Sequence, residues 1–474
     1  MSWLDKTIAF ISPAAGYRRE AWRKGYEELK SYDAGTHDRL NAGWRTVNAS
    51  AEQTDGVYRD TIRARARDLE RNSDIQESIV GAFERNVVGT GFKLQAKTDD
   101  EELNSRIEKL WKEWCKPRNC DVTYQQSFAE ICRMAIRRKK VDGGIIIIKR
   151  YIAGGVVPLS LQIREVDDLD TMQTSKDSKR IVNGIEYNEF NRPIAYYFKN
   201  YDINGFYSGK SDRIEAGDVI FLWHKKRPTQ IREMSEMSPT ITRIKDVNSY
   251  MEAVSIKERV AACLSVFIRR QSPTPGGGFG RQGKQGSTSY EGKTLSPGMI
   301  MELNPGDDVS VVNPPAQGAS AADFVRLQQR LTGSGQGISY EATARDMSQV
   351  NYSSARQGLL EDLKTYQIEQ KFLIDHMLIE IYETFLISAV LAGAIHIPDF
   401  WDNKKEYLNH EWTPPGMKWI DPLKEVNANR VALDTNQTTL AELAATSGHD
   451  WREVIEQRAR EIEFMRQKGV ITDV

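Results

Sequence analysis

The stretch Gly337-Ile338-Ser339-Tyr340-Glu341-Ala342-Thr343-Ala344-Arg345-Asp346-Met347-Ser348-Gln349-Val350-Asn351-Tyr352-Ser353-Ser354-Ala355-Arg356 decides how this chain reads. It is polar and almost free of aliphatic side chains, with neither a nucleophile–base pair nor metal-ligand spacing. Helical sequence lies on both sides. Upstream, Ser320 with Asp323 reads as a capping box. It opens a short helix carrying Phe324, Leu327 and Leu331, which Gly333-Ser334-Gly335 would end. Downstream, Ser353 to about Leu391 reads as the longest helix of the chain, with Leu359, Leu363, Tyr366, Leu373, Met377 and Ile381 on one face. Leu360, Ile374, Leu378 and Phe385 broaden that face beyond a simple seam, as expected of a spine contacted from several sides. A polar loop hung between two helices is placed to touch something rather than to react with it.

A second rod precedes this region. Ser238-Pro239 suits the cap and first turn of a helix. Ile241, Ile244, Val247, Met251 and Val254 follow at three–four spacing, break at Lys257-Glu258-Arg259 and resume at Ala261, Leu264 and Ile268. Some 30 residues would make a rod of about 45 Å with a narrow apolar stripe, which needs partners along its length. Residues 271–293 are rich in Gly, Pro, Ser and Gln, a flexible insertion. Residues 299–312 read as two short strands around Asn304-Pro305-Gly306-Asp307.

Toward the N-terminus, residues 57–86 read as helix, followed by a glycine turn (Gly89, Gly91) into a strand. Residues 101–115 form an amphipathic helix with Leu103, Ile107, Leu110, Trp111 and Trp114 on one side. Residues 124–139 form another, ending in Arg137-Arg138-Lys139-Lys140. Those cations either complement the helix dipole or meet nucleic acid. From 143 to 223 the pattern is strand-like: Ile145 to Ile148 is a continuous β-branched run suited to a strand buried on both faces. Residues 159–163, 194–198 and 219–223 follow. Glu165, Asp167, Asp168 and Asp170 form either a divalent-cation cluster or a solvated loop. Residues 1–50, rich in Tyr, Trp and Arg, read as an arm lying on a neighbour or an ill-ordered terminus. Residues 422–469 hold two or three helices, the last from Asp450 to a stop at Gly469, with Trp451, Val454, Ile455, Ile462 and Phe464 as its apolar positions. The fold class is α+β, predominantly α-helical.

The 474 residues carry a net charge of −1, with 40% hydrophobic and 28% charged residues, a soluble globular composition. A chain so nearly neutral has no global attraction for nucleic acid and needs local basic patches to meet it. Cys115, Cys120, Cys132 and Cys263 form no Cys-x-x-Cys pair and read as reduced thiols in a reducing cytoplasm. Met1 to Ser12 is too short and too weakly basic for a signal peptide. The most apolar run, Thr384 to Ile397, is shorter than the about 20 residues of a membrane span and reads as a buried helix end.

Chemistry is thin. None of the six histidines is spaced as a ligand pair, and Gly-x-Ser-x-Gly is absent. Residues Gly278 to Gln285 nearly spell a phosphate-binding Walker loop. However, Gln285 replaces the hydroxyl residue that would hold Mg²⁺, and no strand precedes the loop. The reading is therefore of a structural protein with no enzymatic activity, no cofactor and no metal. Two alternatives are a nucleotide-driven DNA translocase subunit, resting on the near-Walker loop and the basic runs, and a smaller head–tail adaptor ring.

Several spaced motifs, in order, resemble the lambda family of phage portal proteins over nearly the whole chain. They are Arg63-Ala64-Arg65-Ala66-Arg67-Asp68-Leu69 with Asn72, then Asn86-Val87-Val88-Gly89-Thr90-Gly91-Phe92, and Arg227-Pro228-Thr229-Gln230-Ile231-Arg232. Tyr340-Glu341, Asp346 and Asn351-Tyr352-Ser353-Ser354-Ala355-Arg356 carry the strongest likeness. Asp421-Pro422-Leu423-Lys424-Glu425 and Gly448-His449-Asp450-Trp451 complete it. Arg227, Gln230, Arg232, Asn351, Tyr352, Ser353, Ser354 and Arg356 are thereby expected to be structural motif residues. Two positions depart: Glu233 stands where the family has Gly, and Gly144 stands where an Asp-Gly-Glu pattern puts Glu.

The resemblance implies a portal-type subunit with wing, stem, clip and crown regions, arranged as a dodecameric ring around a central channel at one capsid vertex. Genome double-stranded DNA would pass through it during packaging and ejection. The terminase large subunit and later the head–tail connector proteins would dock on it, and the major capsid and scaffold proteins would surround it. No membrane is implied; assembly would occur in the host cytoplasm and the product would sit in the virion. By order along the chain, residues 1–237 would form the arm and α+β wing and 238–270 a stem helix. Residues 271–320 would form the insertion and clip, 321–336 a second stem helix and 337–352 the tunnel loop. Residues 353–400 would form the spine from wing to crown, and 401–474 the crown and rim. Within the loop, Arg345, Gln349 and Asn351 are the candidates to approach DNA.

Overall fold

Ile145-Ile146-Ile147-Ile148 has no polar side chain to turn toward water. In the computed structural model all four are at most 1% exposed, at the centre of a three-stranded antiparallel sheet. The structure describes residues 3–28, 43–173, 175, 179–262, 266–270, 307–311, 318–348, 351–416 and 422–468. The central strand Gly144–Arg150 lies between Ser160–Arg164 and Val219–Trp223, with Ile147 opposite both Ile163 and Ile220. Alternation along a strand sends successive side chains to opposite faces. Ile145 and Ile147 join the main core with Trp111, Trp114 and Phe385, while Ile146 and Ile148 join a smaller core with Leu169, Tyr196 and Phe198. The smaller core belongs to a second, antiparallel sheet whose four strands (Arg180–Val182, Ile185–Tyr187, Pro193–Tyr201, Tyr207–Glu215) lie in chain order. The run is therefore buried on both faces, as its composition predicts.

Residues Met1–Thr54 form a unit of their own, with helices Trp3–Ile11 and Pro13–Glu28. In the larger unit, the helix expected over 57–86 is broken. Arg59–Asn72 and Asp74–Phe83 are separated by Ser73 in extended backbone, and a π-helical turn, Glu84–Val88, follows. Glu101–Trp114 is capped by Asp100, whose carboxylate accepts from the N–H groups of Glu102 and Leu103. It buries Leu103, Ile107, Trp111 and Trp114. The next helix, Phe128–Val141, begins later than the sequence pattern suggests. Asp121 gathers the N–H groups of Thr123, Gln125 and Gln126 at 3.0–3.1 Å into a turn, and the helix starts only after it, under a Ser127–Glu130 capping box.

The rod is shorter than its apolar spacing suggests. It runs Ile241–Ala262, 22 residues or about 33 Å, and starts after a turn at 236–240 rather than at Ser238-Pro239. Val266–Arg270 is a strand, paired antiparallel with Asp307–Val311. The break at Lys257-Glu258-Arg259 signalled the approaching helix end, and the β-branched and aromatic Val266, Phe267 and Ile268 suit a strand. The first strand expected near Asn304, the near-Walker segment 278–285, Cys263 and Gly469 lie outside the described residues.

The helix expected to stop at Gly333-Ser334-Gly335 is also longer: it runs Gly318–Gln336, through both glycines. Their role is close approach. A Cβ on Gly335 would stand 2.8 Å from Thr240 Cγ2, and one on Gly333 would stand 2.5 Å from Thr343 Oγ1. The chain turns instead at Gly337, whose φ of 74° is the left-handed conformation glycine adopts without strain. The long helix runs Tyr352–Leu373, a π-helical turn Ile374–Leu378, and Ile379–Leu391. It buries Tyr366, Leu373, Met377, Ile381, Tyr382 and Phe385, while Leu360 stays 45% exposed. The Gln370 amide on this helix donates to the carbonyls of Asn86 and Val87 at 3.1 and 3.3 Å, satisfying acceptors freed by the first π turn. No helix among the described residues is long and apolar enough to cross a membrane. The chain then forms helices Pro422–Asp434, Leu440–Thr446 and Trp451–Gln467, the last capped by the Asp450 carboxylate.

Candidate functional site

Between the Gly318–Gln336 helix and the long helix, the polar stretch is half pinned and half exposed. Ile338 is buried. Ser339 caps a short helix, Tyr340–Ala344, through its hydroxyl. It also donates twice to Asp362 of the long helix, from its backbone N–H at 2.7 Å and its hydroxyl at 2.6 Å. Burial raises the Asp362 carboxyl, and these two bonds oppose the rise. Thr365 donates to the Gly337 carbonyl at 2.7 Å. The expected loop therefore holds a helix fixed at its base. Ser339→Ala should cost about 1–2 kcal/mol of local stability. Hydrogen exchange would show it as faster exchange confined to 337–348; unchanged protection there would mean the anchor lies elsewhere.

Beyond Ala344 the chain turns to solvent. Arg345 is exposed and left-handed (φ 56°, ψ 27°), an uncommon state for a side chain of this kind. Asp346 accepts from the Tyr340 hydroxyl at 3.0 Å and from the Ser348 N–H at 2.9 Å. Arg85, on the π turn packed beside this region, has its guanidinium over Gly81. Partial burial and the nearby Arg345 charge make Arg85 a weaker base than usual. Neither guanidinium has a carboxylate within ion-pair distance among the described residues. The sequence pattern singles out Arg345 and not Arg85, since only tertiary packing brings the two charges near each other. Gln349 lies outside the described residues. The Asn351 side-chain oxygen is taken up capping the long helix, accepting from Ser354 N–H and hydroxyl at 2.9 Å each. Tyr352 and Ser353 lie in the first turn of that helix, with Arg356 half-buried just beyond them.

Beneath this face is a frame of buried ion pairs. Gln230 takes the Lys226 N–H at 2.9 Å and donates to the Arg232 carbonyl at 2.9 Å, folding the segment that starts at the exposed Arg227. Arg232, 2% exposed, binds Glu233 at 2.7 and 2.9 Å and the carbonyls of Asn183 and Val166. Glu233, fully buried, also meets Arg63 at 3.0 Å. Burial alone would raise the Glu233 carboxyl, but Arg232 and Arg63 hold it below its ordinary value. The two departures from the family pattern face each other: a Cβ on Gly144 would stand 3.3 Å from Glu233 Cβ. The acid that the pattern puts on the strand comes here from the segment opposite.

Ion pairs also engage the acidic cluster and the basic run that the sequence left open. The carboxylates after the Ser160–Arg164 strand are engaged by arginines: Glu165 and Asp167 with Arg67 at 3.2 and 2.7 Å, Asp168 with Arg164 at 3.2 Å. Asp170 caps a turn through Met172 N–H. Among the described residues no three His, Cys, Asp or Glu converge to hold a metal. The basic run is engaged in ion pairs along its whole length. Arg137 reaches Glu70, Glu77 and Glu84 at 2.6–2.9 Å, and Arg138 pairs with Glu70. Lys139 and Lys140, 1% and 5% exposed, each bridge Glu236 and Glu369 at 2.7–3.2 Å. Gln336 donates to the Glu236 carbonyl at 3.2 Å and the Thr240 hydroxyl at 3.1 Å. The start of the rod, the end of the Gly318–Gln336 helix, the Phe128–Val141 helix and the long helix thus meet around Glu236. The thiols of Cys115, Cys120 and Cys132 are free, and burial pushes them up, Cys120 to about 12.

The family described as "Phage portal protein, lambda family" matches residues 37–370. The chain belongs to the lambda family of phage portal proteins. It is a structural portal subunit of a phage capsid, in a family that is structural rather than catalytic. The probable portal protein of Halomonas phage phiHAP-1 is 25% identical over 467 residues, covering 94% of this chain and 89% of the relative. Portal protein B of Escherichia phage lambda is 21% identical, covering 94% and 92%. Among solved structures, a chain from the neck of an empty gene transfer agent particle is 13% identical with a TM-score of 0.46, covering 81% of this chain and 93% of that one.

Proposed function

We propose that copies of this portal subunit, twelve by the family's pattern, form a ring at one capsid vertex through which double-stranded DNA enters and leaves. The observation that carries this reading is the stretch 337–356, fixed at its base to the long helix while Arg345 lies near Arg85 with no acidic partner among the described residues. A channel lining of this kind touches phosphate without gripping it, because few strong contacts leave little counterion release to stall movement. Residues 1–237 would form arm and wing, and 337–352 the tunnel loop. The stem would comprise 238–262, shortened by the strand that follows, and the helix through 336. The paired strands 266–270 and 307–311 would belong to the clip, which would then begin at 266 rather than 271 and run to 320, and on which the terminase large subunit and then head–tail connectors would dock. The long helix would be the spine within 353–400, and 401–474 the crown and rim. Assembly in the host cytoplasm among major capsid and scaffold proteins completes the reading.

The test is packaging. Arg345→Ala combined with Arg85→Ala should leave ring assembly intact and lower packaged or retained DNA at least tenfold. Gln349→Ala should act in the same direction. Asn351→Ala should in addition lower stability by about 1 kcal/mol through loss of the helix cap. Normal packaging by the double arginine variant would mean that this stretch does not face DNA.

A further inference from the structure

The second sheet ends in an apolar tip. Between Pro193–Tyr201 and Tyr207–Glu215 the chain turns through Asp202, whose carboxylate accepts from the N–H groups of Asn204 and Phe206 at 2.9 Å each. Gly205, at φ 83°, supplies the left-handed residue. Tyr201 and Tyr207 face each other across the strands with ring centroids 6.2 Å apart. On this braced turn Ile203 and Phe206 are 101% and 73% exposed. Single exposed apolar residues are ordinary. Two of them on a turn fixed by its own hydrogen bonds are less so, because docking such a tip requires little further ordering.

The same chain holds a matching hole. A cavity of about 200 Å³ opens beside the Glu101–Trp114 helix, with Phe92, Leu94, Trp111 and Phe128 in its lining and the charged Glu108 and Glu453 among its polar groups. An apolar cavity of about 150 Å³ takes up benzene, so this half-open one is large enough for a phenylalanine ring against its aromatic wall. The tip does not fill the pocket of its own chain. Its strands pack chiefly on their own sheet and on the turns 166–168 and 216–218, whereas the pocket is built from the Lys93–Ala96 strand, two helices and the start of the Trp451–Gln467 helix.

We propose that Phe206 and Ile203 of one copy insert into the Phe92–Trp111–Phe128 pocket of a second copy, forming a head-to-tail contact of the ring. A knob and a hole on different patches of one subunit make a heterologous contact, the kind that repeats around a closed ring. One contact then covers both apolar features on every subunit. The proposal rests on the ring reading above.

Site-directed photocross-linking tests it. The full chain carrying Phe206→p-benzoyl-phenylalanine is mixed with ¹⁵N-labelled unsubstituted copies, assembled with scaffold protein if needed, and irradiated. Cross-links should join light to heavy chains and map to peptides containing Phe92, Trp111 or Phe128. Ile203→Ser with Phe206→Ser changes only exposed side chains and should raise the concentration needed for ring assembly at least tenfold with the melting temperature unchanged. Ala129→Phe, which fills the pocket from its own lining, should have the same effect on assembly. Rings whose cross-links map elsewhere, or rings formed equally well by the serine variant, overturn the knob and leave the portal reading standing. Copies that stay monomeric with scaffold present overturn both.

Discussion

Glu236→Ala should destabilise the folded chain by about 3–5 kcal/mol, the cost of removing one partner from a buried ion pair. Lys139 and Lys140 lie almost wholly inside the protein, over the rings of Phe372 and Phe83 at 4.7 and 3.8 Å. Without Glu236 they share, among the described residues, only Glu369. Burial by itself would raise the Glu236 carboxyl, yet Lys140 and Lys139 hold it down to about 2. That value is below the about 4.3 of an unfolded glutamate. The contribution is therefore complete above pH about 4.3 and is lost as pH falls toward 2. Denaturant unfolding of wild type and Glu236→Gln across pH 2–8 would measure it. The gap between them should be flat above about pH 5 and narrow below about pH 4. A gap under 1 kcal/mol at neutral pH, or one that does not narrow in acid, would mean these four charges do not lock the helices together.

Glu233→Gly should cost a similar amount, since it strips the buried Arg232 of its carboxylate partner and leaves it, among the described residues, on the carbonyls of Asn183 and Val166. Gly144→Glu alone should also destabilise. Its Cβ would meet the Leu222 carbonyl at 3.0 Å and Trp223 Cβ at 3.1 Å, and it would bring a second carboxylate beside Glu233. The double variant removes Glu233 Cβ and supplies the acid from the strand instead. We predict that it loses at least ~2 kcal/mol less than the two single losses summed, within the range of coupling energies for residues in contact. A double-mutant cycle by urea denaturation checks this. Additive losses would show that the two positions are independent, and that the departures at 144 and 233 are unrelated.

The parts of the fold that were legible in the sequence are those with local causes. Ile145 to Ile148 cannot be anything but interior, and Asp450 and the long polar stretch mark helix ends by their own side chains. The buried charges were not legible. Lys139 meets Glu236 97 residues away and Glu369 230 residues away, so no spacing rule connects them. Read locally, the run Arg137-Arg138-Lys139-Lys140 is a surface feature; three-dimensionally, half of it is core. Gly333 and Gly335 misled for the same reason. Glycine stops a helix or lets another chain approach it, and only the presence of Thr240 and Thr343 decides which. At the candidate site Arg345 stood out because it is the one cation in the middle of a polar stretch that ends at Arg356, whereas Arg85, far away in sequence, did not.

Electron microscopy of the purified protein, with its mass measured in solution and scaffold protein supplied in a parallel sample, tests most directly whether copies of this portal subunit close into a ring. Rings of about twelve copies around an open central channel are expected. Monomers alone in both samples, or closed oligomers without a channel, would contradict the ring reading.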